Sequence, residues 1–88
     1  MIRRRVRAYG HVQGVFFRDT VRRKAAQRGV AGWVRNLPDG SIEAVLEGEP
    51  GAVKSLVELM RGGPRGAIVD RVEVMDDEPE GLSGFAIR

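Results

Sequence analysis

Between residues 10 and 18 the chain reads Gly10-His11-Val12-Gln13-Gly14-Val15-Phe16-Phe17-Arg18, residue types that suit the binding of an anion. Two glycines accept the backbone dihedrals that turn successive N–H groups toward one point. The segment runs into a helix start, where unpaired amides and the helix dipole attract negative charge. Arg18 there adds a planar fork matched to phosphate oxygens. The spacing fits neither the nucleotide P-loop, which ends in Gly-Lys-Ser/Thr, nor the three-glycine dinucleotide pattern. On chemistry alone, a tight turn leading into a solvated helix explains the same residues equally well.

The remaining candidates carry blander readings. His11 is the only histidine, and its place in the cradle segment invites a general-base role. A loop histidine is more often a solvent-facing side chain, and His11 is expected to be one. Asp76, Asp77, Glu78 and Glu80 lack the ordered spacing of a metal loop and are expected to be solvated, so no metal site is assigned. Asp19 is expected to favour the helix N-terminus. With no cysteine in the chain, thiol nucleophiles, disulfides and thiolate metal sites are excluded.

Elements that could position these residues follow from periodicity. Ile2 to Tyr9 alternates, with Ile2, Val6 and Ala8 on one face and Arg3, Arg5, Arg7 and Tyr9 on the other, although Arg4 falls on the apolar side. From Phe17 the period changes: Phe17, Val21 and Ala25 recur at four-residue steps until Gly29 supplies a stop, which predicts the first helix. Trp33 to Asn36 and Ser41 to Gly48 read as a hairpin across the turn Leu37-Pro38-Asp39-Gly40. Pro50 opens a second helix carrying Val53, Leu56, Val57 and Met60, and Gly62-Gly63-Pro64 ends it. Ala67 to Met75 predicts a strand, Asp76 to Gly84 an acidic turn-prone stretch, and Phe85 to Arg88 a short closing strand.

The order βαββαβ predicts an α+β fold, a ferredoxin-like sandwich with one antiparallel sheet and both helices on one face. In that topology the first two strands run parallel with a third between them, so their carboxyl ends share an edge about 10 Å apart. Arg18 and Asn36 can then converge on one small ligand.

These residues resemble a known family. Gly10-x-Val12-Gln13-Gly14-Val15-x-Phe17-Arg18, followed by Gly32-Trp33-Val34-x-Asn36-x-x-Asp39-Gly40, is similar to the acylphosphatases, and the likeness extends through the second helix to Gly84-Phe85-Ala86-Ile87. The resemblance implies that Arg18 is the phosphate-binding arginine. It also implies that the amides of Gln13, Gly14, Val15, Phe16, Phe17 and Arg18 form the phosphate loop, and that Asn36 positions the attacking water. The implied reaction is hydrolysis of a carboxylic–phosphoric anhydride, with no metal, cofactor or covalent intermediate.

Composition is compatible with that expectation. The 88 residues leave room for one domain and one core, and 42% hydrophobic with 31% charged residues is ordinary globular usage. The basic start has no apolar run behind it, so no secretory signal is read and a cytoplasmic location is expected. A formal charge of +3 favours anionic partners. Tyr9, Phe16 and Phe17 beside a basic strand raise a single-stranded RNA module, but RNA-reading sandwiches space their aromatics on central strands, so nucleic acid is not the expected partner. The partner expected is a small acyl phosphate, with no membrane contact, bound by a monomer.

Overall fold

The computed structural model describes residues 1–88. Its elements are β1 (Ile2–His11), α1 (Phe17–Gln27), β2 (Ala31–Asn36), β3 (Ile42–Gly48), α2 (Pro50–Gly62), β4 (Ile68–Asp77) and β5 (Phe85–Ile87). The sheet order is β4-β1-β3-β2-β5, so β3 lies between the parallel strands β1 and β2 as the topology required. The first four strands pair antiparallel. The expected all-antiparallel sheet needs one correction: β5 pairs parallel with β2, through Gly32 opposite Phe85 and Val34 opposite Ile87.

Both helices end where their capping residues dictate. Glu49 caps α2 by accepting from the Gly51 and Ala52 amides, Pro50 occupies the first turn, and Gly63 stops the helix at φ +71° with its N–H on Leu59 O. Gly29 takes φ +68° after α1 and lets Val30 N–H return to Ala25 O. Phe17, Val21 and Ala25 of α1 and Val53, Leu56, Val57 and Met60 of α2 are buried against one face of the sheet. Val6, Ala8, Val34, Ile42, Ala44 and Leu46 receive them, each large side chain contributing about 1.5–3 kcal/mol.

The opposite face of the sheet carries charged residues under cover. Arg3, Glu43 and Glu47 are buried there, and Trp33 lies beneath the guanidiniums of Arg5, Arg35 and Arg88 at 5.9, 5.0 and 4.7 Å. Glu47 accepts from Arg3 at 2.8 Å and from the amides of Glu80, Gly81 and Leu82, which folds the 78–84 segment over the sheet. Burial alone would raise the Glu47 pKa. Those amides together with Arg3 outweigh it and hold the carboxyl at about 2.

The acidic stretch is therefore not simply solvated. Asp76 and Asp77 belong to β4 opposite Arg4 and Arg3, and Asp77 and Glu80 both bind Arg3. Arg4, the break in the alternation of β1, lines a groove beside Val53 and Val57 of α2 and carries its charge out to Asp76 at 3.1 Å.

Candidate active site

Two strand ladders stop at one residue. β1 pairs with β3 as far as Ala8 opposite Ile42, and β2 pairs with β3 as far as Asn36 opposite the same Ile42. β1 continues only along β4, to His11 opposite Ile68, after a register shift at Tyr9 and Gly10. Gly10 permits that departure: at φ +130° any Cβ would stand 2.2 Å from Ile68 O. The chain thus lifts away from β3, and the space left over Ile42 is a cleft of about 280 Å³ lined by Val12, Gly14, Phe16, Arg18, Asn36 and Ile87 among others.

The loop that borders the cleft is rich in unused donors. No backbone N–H from Val12 to Phe16 donates to another backbone or side-chain atom, and the first turn of α1 has no side-chain cap. Gly14 stands at φ +77°. Phe16, immediately before α1, is the one non-glycine residue with a positive φ, +57°, a conformation that costs about 1–2 kcal/mol for a residue with a Cβ. Its carbonyl is held by the Thr20 N–H at 3.0 Å and the Thr20 hydroxyl at 2.9 Å.

Arg18 and Asn36 both line the cleft, as their expected convergence required. Asp19 is drawn away from Arg18 by Arg22 at 2.8 Å and Arg23 at 3.0 Å, and these two hydrogen bonds lower its pKa. Among the arginines of β1 and α1, Arg18 is the one without a carboxylate partner. Asn36 Oδ1 is buried and has no hydrogen-bond partner, an acceptor whose desolvation is uncompensated until something donates to it.

The expected phosphate-loop residues divide. Gly14, Phe16, Phe17 and Arg18 line the cleft, whereas Gln13 and Val15 do not. Val15 packs against the core, and the Gln13 side chain donates to Leu37 O at 2.8 Å and Ser41 O at 3.0 Å. These bonds tie the loop to the turn that follows Asn36. Asp39 steadies the same turn by accepting from the Ser41 amide at 2.9 Å and from its hydroxyl. His11 is exposed and outside the cleft. Of the RNA-module aromatics, Phe17 is in the core, Arg71 covers the Tyr9 ring at 4.1 Å, and Phe16 stands at the loop-to-helix junction rather than on a central strand. Nowhere do three or more His, Cys, Asp or Glu side chains gather where they could hold a metal ion. No helix is long and apolar enough to cross a membrane.

Residues 4–87 match the sequence profile of the acylphosphatase family. The chain belongs to that family. The acylphosphatase of Thermococcus kodakarensis is 54% identical over 86 residues, covering 98% of this chain and 94% of the relative. That of Rubrobacter xylanophilus is 56% identical over 89 residues, covering 97% and 80%. The crystal structure of acylphosphatase from Bacillus subtilis superposes with a TM-score of 0.96 at 37% identity, covering 100% of this chain and 99% of that one. Membership makes the chain a hydrolase acting on acid anhydrides, with acyl phosphates as the substrate class.

What sequence reasoning missed around the acylphosphatase cleft is mostly apolar. Ile87 of β5 and Ile42 line it alongside Val12, and no chemical signal in the sequence marks them. Gln13 was legible as part of the loop through its amide, but its side-chain tie depends on a turn 24 and 28 residues away.

Proposed function

We propose that Arg18 and the amides of the 13–18 loop hold the phosphate of a carboxylic–phosphoric anhydride while the Asn36 side chain positions the attacking water through a hydrogen bond. The water oxygen bonds to phosphorus as the bond from phosphorus to the acyl oxygen breaks. The carboxylate departs with the electron pair, and a substrate phosphate oxygen receives the water proton, leaving inorganic phosphate. A departing carboxylate needs little protonation at neutral pH, so positioning and charge stabilisation suffice without a dedicated acid or a metal.

The observation that carries this reading is the pairing, in one cleft, of an arginine without a carboxylate partner and a buried asparagine oxygen without a donor. The test is hydrolysis of benzoyl phosphate with chelator present. Wild type is expected to turn it over rapidly and Asn36→Ala to lose most of the rate. Equal rates in the two proteins, or none in wild type, would overturn the assignment.

A further inference from the structure

Phe16 combines two features that the fold itself does not require. The residue is 82% exposed, and its ring is no part of the core. Its backbone is held in the left-handed region, where glycine or asparagine would sit with less strain. Strain retained at a cleft points to a role for the side chain that causes it. Thr20 fixes the carbonyl of this residue from two directions, so the ring is presented from an anchored backbone.

The cleft around the ring has two chemistries. Gly14, Arg18 and Asn36 supply polar groups, whereas Phe16 and the 40% exposed Ile87 supply apolar surface open to solvent. A phosphate has no use for that second part, but the group attached to it does. Arg18 is the single cation lining the cleft, and Asp19, its single anion, is already engaged by Arg22 and Arg23. A second anionic group on the substrate would therefore find no partner at the apolar rim.

We propose that Phe16 is a specificity-determining residue: its ring, with Ile87 lining the same cleft, receives the acyl group and makes aromatic or bulky apolar acyl phosphates better substrates than acetyl phosphate. The proposal rests on the phosphate-holding role assigned above to Arg18 and the loop. Desolvation of the ring by the substrate supplies the discrimination, and stacking of an aromatic acyl group adds to it.

The experiment measures kcat/KM for benzoyl phosphate and for acetyl phosphate in wild type, Phe16→Gly and Phe16→Asn. Both replacements suit the left-handed backbone, and thermal unfolding confirms that each is folded. Because the Phe16 amide belongs to the phosphate loop, the readout is the ratio of the two kcat/KM values, in which a common change in phosphate handling cancels. The benzoyl-to-acetyl ratio is expected to fall about 3- to 10-fold in both variants. The same ratio in all three proteins, with hydrolysis intact, would overturn the role of Phe16 alone. Absence of hydrolysis of either substrate by wild type would overturn the phosphate-site reading and this inference with it.

Discussion

Replacing Gln13 with methionine tests whether the loop and the asparagine strand must be tied together for turnover. The side chain makes two hydrogen bonds, to Leu37 O at 2.8 Å and Ser41 O at 3.0 Å, and methionine keeps its length while removing both. Each bond is worth about 1 kcal/mol net. Neither acceptor is orphaned by the change: Leu37 O still receives the Gly40 amide at 3.1 Å, and Ser41 O still receives the Leu37 amide at 2.9 Å. The stability cost therefore stays at about 1–2 kcal/mol, a fall in Tm of roughly 5–15 °C for a chain of this size. The catalytic effect should be larger. These are the side-chain bonds that join the cradle loop to the turn after Asn36, across a gap of about 10 Å between strand ends. A misplacement of about 1 Å between phosphate and water costs about 100-fold in rate. Steady-state kinetics on benzoyl phosphate should show kcat lower by about 10- to 100-fold with KM changed by less than about 3-fold, since Arg18 and the amides still grip the phosphate. A variant whose Tm falls as expected but whose kcat stays within about twofold of wild type would refute the tie as a catalytic requirement.

Arg18→Ala should weaken inorganic phosphate binding by about 10- to 100-fold in calorimetry, the worth of a charge-assisted pair, whereas Asn36→Ala should leave that affinity nearly unchanged while lowering kcat by about 100-fold or more. Equal loss of phosphate affinity in both variants would sink the division of labour. Glu47 has a folded pKa of about 2 against an ordinary 4.5, so its contribution to stability is complete above pH about 5 and is lost as pH falls through 4.5 toward 2. Glu47→Gln should accordingly flatten the acid side of a Tm–pH profile, and an unchanged acid slope would contradict the network drawn around it. Gly32 sits at φ +140° with Val45 O only 1.8 Å from where a Cβ would be, so Gly32→Ala should cost more than about 4 kcal/mol in urea unfolding or prevent folding. A variant with near-native stability would show that β2 and β3 do not approach as described.

Local chemistry in the sequence carried the elements and most of the site. Pro50 and the glycines after Arg61 delimit α2 at the residues expected, and Phe17 opens α1. Arg18 and Asn36 share a cleft because the strand order brings the carboxyl ends of β1 and β2 to one edge and Gly10 lets the loop lift off β3. The open sheet face was less legible. Period-two alternation assigns Arg3 to a polar face, but whether that residue is covered depends on Glu47, Asp77 and Glu80, 44 to 77 residues away. The same non-local pairing extends β4 through Asp76 and Asp77, which read as loop until Arg4 and Arg3 are placed opposite them. A three-residue strand such as β5 has too little pattern to declare its direction, and nothing in an isolated Phe-Phe pair reveals that the first is left-handed and exposed.

The charge layer on that open face is also what holds the site in register. Glu43 follows Ile42, the floor of the cleft, and its side chain points to the other side of the sheet, where it is 1% exposed. It binds Arg7 of β1 at 3.0 Å and Arg35 of β2 at 2.7 Å, each the residue directly opposite it in the ladder. Arg7 precedes Ala8, where β1 leaves β3, and Arg35 precedes Asn36. One carboxylate therefore stitches three strands at the row beneath the two places where the loop and the asparagine emerge. Burial opposes its ionisation, but Arg35 and Arg7 outweigh that and keep its pKa below the ordinary carboxylate value. A buried ion pair is a weak source of net stability compared with apolar packing, yet it discriminates sharply against a slipped register, because a one-residue slip would put Glu43 into the helix-side core and leave guanidiniums crowded without a counter-charge. The two faces of the sheet thus have separate tasks: apolar packing against the helices supplies the folding energy, and the ionic row opposite fixes which strand position lies beside which at the cleft.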